Sequence, residues 1–307
     1  MKEIVIISGK GGTGKTSVLA SFAVLAEEPV LADCDVDAAD LHLVLKPDII
    51  EKHDFISGHE AVVLQDICDS CGACLNLCRF DAIKEIPQTS GESLFEIDAH
   101  SCEGCGVCYA FCPLKAINFP ERHCGEWMVS NTRAGPMVHA KLGIAAENSG
   151  KLVFTVREEA RKIAKDKNHN LILVDGPPGT GCPVIASITG ASMVLIVTEP
   201  TLSGEHDLKR ILELTGHFKI PSCVCVNKWD ICPDMTERIE ELASSMEANV
   251  LGRIRYDKGV TKAQVEALTV VETDTPSAQD IKQIWKTLQL QQITTGEKNE
   301  NSYSIEK

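Results

Sequence analysis

Gly9-Lys10-Gly11-Gly12-Thr13-Gly14-Lys15-Thr16 is the stretch on which the reading of this sequence turns. It follows a short apolar run, residues 3–8, and opens a segment with Val18, Leu19, Phe22 and Leu25 at helical spacing. A strand, a glycine loop of the form G-x-x-x-x-G-K-[ST] and a helix together predict a phosphate cradle. Gly9, Gly11, Gly12, Thr13 and Gly14 let backbone N–H groups wrap the phosphates, with Ser17 at the start of the helix. Lys15 reaches the β- and γ-phosphates and the Thr16 hydroxyl binds Mg²⁺. The expected ligands are ATP or ADP with Mg²⁺.

Working outward, further apolar runs at 30–33, 171–175, 193–198 and 222–227 end in polar or Gly/Pro residues. Most are followed by helical periodicity, as in Leu208, Ile211, Leu212 and Leu214. That alternation predicts an α/β fold, a doubly wound and mostly parallel sheet, with ligands at the carboxyl ends of its strands. The alternation breaks at 58–121, where cysteine arrays take over. The expected organisation is an ATPase domain made of 1–57 and 122–290, an inserted module at 58–121 and a polar tail at 291–307.

Eight of the 14 cysteines lie in the insert. Cys68, Cys71, Cys74 and Cys78 form one C-x-x-C-x-x-C-x-x-x-C run; Cys102, Cys105, Cys108 and Cys112, followed by Pro113, form another. Two such runs resemble the bacterial two-cluster ferredoxin pattern, in which each fourth cysteine ligates the other [4Fe–4S] cluster. One cluster then takes Cys68, Cys71, Cys74 and Cys112; the other takes Cys102, Cys105, Cys108 and Cys78. Zinc competes, because cysteine quartets suit it too. The spacing and the echo of Asp81-Ala82-Ile83 in Lys115-Ala116-Ile117 favour iron–sulfur. Arg79 stands where the second run has Pro113 and removes no ligand.

A formal charge of −14 argues against a nucleic-acid surface. No apolar stretch approaches the roughly 20 residues of a membrane span, and Met1-Lys2-Glu3 carries no leader pattern, so a cytoplasmic protein is expected. Residues 60–122 hold ten Asp/Glu against four Lys/Arg. That excess is either a solvated face or a docking face for a basic redox partner.

Lys10 gives the loop a second lysine, and in this the sequence resembles the MinD/ParA/Mrp group of ATPases, which includes the nitrogenase iron protein. The resemblance implies an ATP-dependent homodimer in which Lys10 reaches the partner's phosphates. Asp33-Cys34-Asp35 resembles the group's first switch, which implies that Asp35 positions the attacking water. The run 171–175 before Gly176-Pro177-Pro178-Gly179 resembles the Walker B strand and second switch, which places Asp175 near Mg²⁺. Asn227-Lys228-Trp229-Asp230 resembles the base-reading turn, with Asn227 at the adenine. With Glu147-Asn148-Ser149-Gly150-Lys151-Leu152-Val153 and Val197-Thr198-Glu199-Pro200, the chain is similar to MinD-superfamily ATPases with an inserted ferredoxin domain.

Cys182 lies at the offset of one bridging-cluster cysteine of the nitrogenase iron protein, but its companion has no counterpart in 142–151. Cys232-Pro233 resembles half of the C-P-x-C pair of Mrp-type carriers, with Met235 in the second position. Cys34 reads as a packed small residue. The sequence assigns no role to Cys124, Cys223 or Cys225, and His123 reads as an ordinary surface neighbour. The apolar face Ile281, Ile284, Trp285 and Leu288 reads as a helix packed on the domain. Three functions follow: a nucleotide-gated electron-transfer protein, with the ferredoxin between the switch aspartates Asp35 and Asp175; an Mrp-like cluster carrier serving an acceptor protein; and a MinD-like positioning ATPase.

Overall fold

The computed structural model describes residues 1–88, 93–143 and 149–302, with side chains as far as residue 290. Residues 147–148 and 303–307, which fall in the motif and tail read above, lie outside the described residues. The strands are β1 (Lys2–Ser8), β2 (Val30–Asp33), β3 (Asp48–His59), β4 (Val62–Val63), β5 (Ile83–Pro87), β6 (Ser93–Ile97) and β7 (Ile117–Asn118). They continue with β8 (Glu121–Thr132), β9 (Gly135–Leu142), β10 (Leu171–Pro178), β11 (Met193–Thr198), β12 (Ser222–Asn227) and β13 (Asn249–Ile254). The helices are α1 (Lys15–Leu25), α2 (Leu41–Leu45), α3 (Ala73–Leu77), α4 (Val107–Phe111) and α5 (Ser149–Asp166). After these come α6 (Cys182–Ile188), α7 (Leu202–His217), α8 (Pro233–Ser245), α9 (Gly259–Val265) and α10 (Pro276–Ser302).

Two compact units share the chain. The first takes Met1–Lys52, Trp127–Lys141 and Ser149–Lys307; the second takes His53–Glu126 and Leu142–Asn148. The second unit is thus wider than 58–121, because β3 and β8 carry the chain between units as unbroken strands with no change of composition at the crossing.

One sheet runs in the order β13-β12-β11-β1-β10-β2-β9-β8-β3. From β13 to β9 every pairing is parallel. The strands β1, β2 and β11 are buried along nearly their whole length, as parallel strands covered on both faces must be. The two-residue link Arg133-Ala134 between β8 and β9 suits only an antiparallel pair, so the sheet is mixed towards that edge. Register places Ile6 opposite Asp175, Asp175 opposite Asp33 and Asp33 opposite His139. The carboxyl ends of three neighbouring strands therefore present two carboxylates and an imidazole side by side.

On one face α1 and α10 pack together, with the Phe22 and Trp285 rings 4.9 Å apart. Ile281, Ile284, Trp285 and Leu288 are all buried, as their spacing predicts. α10 continues to Ser302, so helical backbone extends into residues that polar composition assigns to a tail. α5 anchors through Arg157, whose guanidinium donates to Glu3 Oε1 at 2.7 Å inside the first unit. No helix among the described residues is long and apolar enough to cross a membrane.

His139 is buried, with Nε2 2.8 Å from Ser130 Oγ. Burial first, then the nearby His42, hold its pKa down at about 4. The folded chain therefore binds fewer protons here than the unfolded chain between about pH 6.5 and pH 4, and stability falls as pH drops through that window. Replacing His139 with Gln should flatten this dependence by a few kcal/mol, to order of magnitude. Thermal unfolding followed by circular dichroism at pH 7 and pH 5 would check it.

Candidate nucleotide site and cysteine cavity

The glycine loop sits where β1 passes into α1. Gly14 caps α1 in the left-handed region at φ 90°, which favours glycine, and a Cβ there would lie 2.5 Å from Asn227 Nδ2. Asn227 Nδ2 donates to Thr13 O at 2.8 Å, and Asn227 Oδ1 accepts from Lys228 N–H at 2.9 Å. The amide named from sequence as a base contact thus braces the loop's backbone. Gly14→Ala should push Asn227 away and lower nucleotide affinity at least about tenfold, measurable by fluorescent-nucleotide titration.

Lys15 is buried. Its Nζ lies 2.6 Å from Asp35 Oδ2 and 3.5 Å from Asp175 Oδ1. Burial alone would lower the lysine's pKa; the carboxylates of Asp175 and Asp35 outweigh it and hold the ammonium protonated. The Thr16 hydroxyl donates to Asp175 Oδ2 at 2.7 Å. Asp33, to which sequence reading gave no role, is fully buried beside them. Burial first, then the Asp175 charge, push its pKa well up, and Asp35 N–H donates to its Oδ1 at 3.2 Å. Among the described residues Asp33 Oδ2 and Thr13 Oγ1 are buried without a hydrogen-bond partner. Orphaned oxygens beside a hydroxyl and carboxylates suit a hydrated Mg²⁺ and a phosphate, which would be held by Thr16, Asp175 and Thr13.

Two pockets flank the loop. One, lined by Gly11, Lys15, Thr16, Asp35 and Pro178, covers the phosphate side. The other is lined by Gly12, Gly14, Asn227, Tyr256 and Gln264, on the side where a base would lie. Gln264 Nε2 donates to Ser17 Oγ at 2.9 Å. Sequence reading missed Tyr256 and Gln264, which no local motif marks. It also gave no individual role to Glu199, whose carboxylate lies 3.3 Å from Lys10 Nζ.

The second unit repeats itself in its backbone. α3 and α4 are equivalent, as are Gly72 and Gly106, their caps at φ 71° and 72°. Ser70 and Gly104, then Asp81 and Lys115, repeat the same left-handed turns. Cys78 and Cys112 are the matching extended C-caps of the two helices. At Gly104 a Cβ would lie 2.3 Å from His59 O, so that turn requires glycine. β5 pairs antiparallel with β6, and β4 with β7.

Cys68, Cys71, Cys74 and Cys112 line one small pocket, walled by Val63, Phe95 and Ile117. The fourth cysteine there comes from the other run, as the crossed pattern requires. Ala116 N–H points at Cys112 Sγ, 3.2 Å away. Cys102, Cys105, Cys108 and Cys78 occupy the equivalent positions of the repeat. Outside the two runs, Cys34, Cys124, Cys223 and Cys225 are buried, and burial holds Cys223 up at about 12. Cys182 is exposed at the start of α6, and Cys232 precedes α8. His123 lies on β8 with Nε2 3.1 Å from Asp54 Oδ1.

Residues 4–270 match the family described as the CobQ/CobB/MinD/ParA nucleotide binding domain. The chain belongs to that family. An uncharacterised protein of Methanocaldococcus jannaschii is 34% identical over 230 residues, covering 74% of this chain and 78% of the relative. An uncharacterised ATP-binding protein of the same organism is 23% identical, over 92% and 85%. Among solved structures, the cell division ATPase MinD of Pyrococcus furiosus is 20% identical with a TM-score of 0.55, covering 94% of this chain and 98% of its own. MinD of Pyrococcus horikoshii, complexed with Mg-ADP, is 19% identical with a TM-score of 0.57, over 94% and 95%. These structures share the fold of this member of the CobQ/CobB/MinD/ParA family. Its large mixed sheet is the P-loop nucleotide-binding fold, and the glycine loop, Lys15, Thr16 and Asp175 lie together where β1 passes into α1.

Proposed function

We propose that this chain is a Mg²⁺-dependent ATPase, working as a homodimer, whose nucleotide state is coupled to two [4Fe–4S] clusters held by its cysteine unit. The observation that carries the iron–sulfur half is the cavity in which Cys112 joins Cys68, Cys71 and Cys74. Zinc also takes four cysteine sulfurs, at about 2.3 Å from one atom. The paired C-x-x-C-x-x-C-x-x-x-C runs, with the fourth cysteine of one run joining the first three of the other, suit two four-iron cubes better. When bound, such clusters would supply one-electron transfer. The protein's part is to hold the thiolates, screen them with Val63, Phe95 and Ile117, and aim an N–H at Cys112 Sγ.

At the nucleotide, Lys15 and the loop's N–H groups would neutralise phosphate charge. Asp35 now holds the Lys15 ammonium; on nucleotide binding that carboxylate is freed to orient a water. Asn227, Tyr256 and Gln264 would border the base.

A second reading, a MinD-like positioning or scaffolding ATPase, is favoured by the fold shared with two MinD structures over 94% of the chain. In that reading the cysteine unit is structural or a sensor. The carrier reading rests on Cys232 alone. Anaerobically purified protein separates them: the proposal expects about eight irons and eight sulfides per chain, Mg²⁺-dependent ATP hydrolysis and ATP-driven dimers. Zinc in place of iron would overturn it.

A further inference from the structure

Lys10 and Lys228 meet on one carboxylate. Glu199, directly after β11, places Oε2 3.3 Å from Lys10 Nζ and Oε1 2.5 Å from Lys228 Nζ. Its side chain is 13% exposed, against 38% for Lys10 and 32% for Lys228. The carboxylate is therefore the fixed, more buried member of the trio. Its backbone is fixed too: Thr201 N–H donates to Glu199 O at 2.8 Å, and Thr201 Oγ1 caps α7 by accepting from Gly204 N–H at 3.0 Å. Gly204 packs so tightly that a Cβ there would lie 2.3 Å from Glu199 O. Lys228 ties the carboxylate back to the loop through Gly12 O, 3.4 Å from its Nζ.

Glu199 therefore cannot follow if the long Lys10 side chain swings outward. Lys10 can leave only by giving up a charge-assisted contact for another anion. The geometry points to Glu199 as a positioning residue that holds Lys10 inside its own subunit until the phosphates of a paired copy compete for it. This rests on the paired-subunit reading above. Glu199 would raise the threshold for pairing, so that the extra charge of ATP over ADP decides whether two copies join. Lys228, held by the same carboxylate and contacting the loop carbonyl, would keep Glu199 compensated once Lys10 departs.

The test uses the full chain with its metal content intact. Glu199→Gln keeps the shape and removes the charge, and dimerisation is measured by sedimentation in Mg-ATP and in Mg-ADP. Dimers of Glu199→Gln are expected to be about tenfold tighter in ATP and to appear in ADP, with monomer nucleotide affinity unchanged. In a Lys10→Ala background the same substitution should change nothing. Dimerisation unaltered or weakened by Glu199→Gln, or a gain that persists without Lys10, would overturn the holding role. If the wild-type chain binds ATP yet stays monomeric, the paired reading fails. The holding role then survives only if Glu199→Gln dimerises, and falls if that variant is monomeric too.

Discussion

Replacing Cys112 with serine is expected to remove the cluster of the first cysteine run, although Cys112 belongs to the second. Iron should fall from about eight to about four per chain, with sulfide in parallel. The reason is the shared cavity: Cys112 closes the quartet begun by Cys68, Cys71 and Cys74, and Ala116 N–H is already aimed at its sulfur. The reciprocal variant, Cys78→Ser, should spare that quartet and empty the other. If the runs instead held one metal each, Cys112→Ser would disturb only Cys102, Cys105 and Cys108. Cluster-specific electron paramagnetic resonance of the two variants distinguishes these outcomes.

Lys15→Ala is expected to lower ATP hydrolysis about a hundredfold or more, because the buried ammonium that contacts both Asp35 and Asp175 disappears. It should also weaken the nucleotide-free fold. Asp33 and Asp175 already have pKa values raised by burial, and Lys15 is the charge that opposes that rise. Without it the folded chain holds extra protons on these carboxylates relative to the unfolded chain. The loss of stability is then small near pH 5 and grows towards pH 8, reaching about 3 kcal/mol. Denaturant unfolding of both proteins across that range, with hydrolysis assayed in parallel, checks both effects. A variant that kept wild-type turnover would remove Lys15 from the phosphate site.

Much of this was legible in the sequence because the chemistry is local. A phosphate cradle must be built from consecutive N–H groups, so residues 9–16 announce it. The cysteine runs are marked by spacing, and burial on both faces turned β1, β2, β11 and β12 into continuous apolar runs. What stayed hidden depends on neighbours distant in sequence. β3 closes the edge of the sheet and is mostly exposed, so no apolar run marks a strand at Glu51-Lys52-His53-Asp54. In β13 the register shifts against β12 and Gly252 takes φ 148°, which blurs the apolar pattern. Asp33 looked like a companion of Asp35 and proves to be the more buried of the two. Glu199 meets Lys10 only because β11 lies beside β1, and Tyr256 and Gln264 reach the loop from beyond β13.

In the proposed cycle, nucleotide state and cluster chemistry are coupled. The most direct measurement is an anaerobic redox titration of the holoprotein, once in Mg-ADP and once with a non-hydrolysable ATP analogue, followed by electron paramagnetic resonance. Two [4Fe–4S] signals are expected whose midpoint potentials, or rates of reduction, change with the nucleotide, and Lys15→Ala should abolish the change. Identical potentials and rates in both nucleotides, or no cluster signal in iron-replete protein, would contradict that coupling.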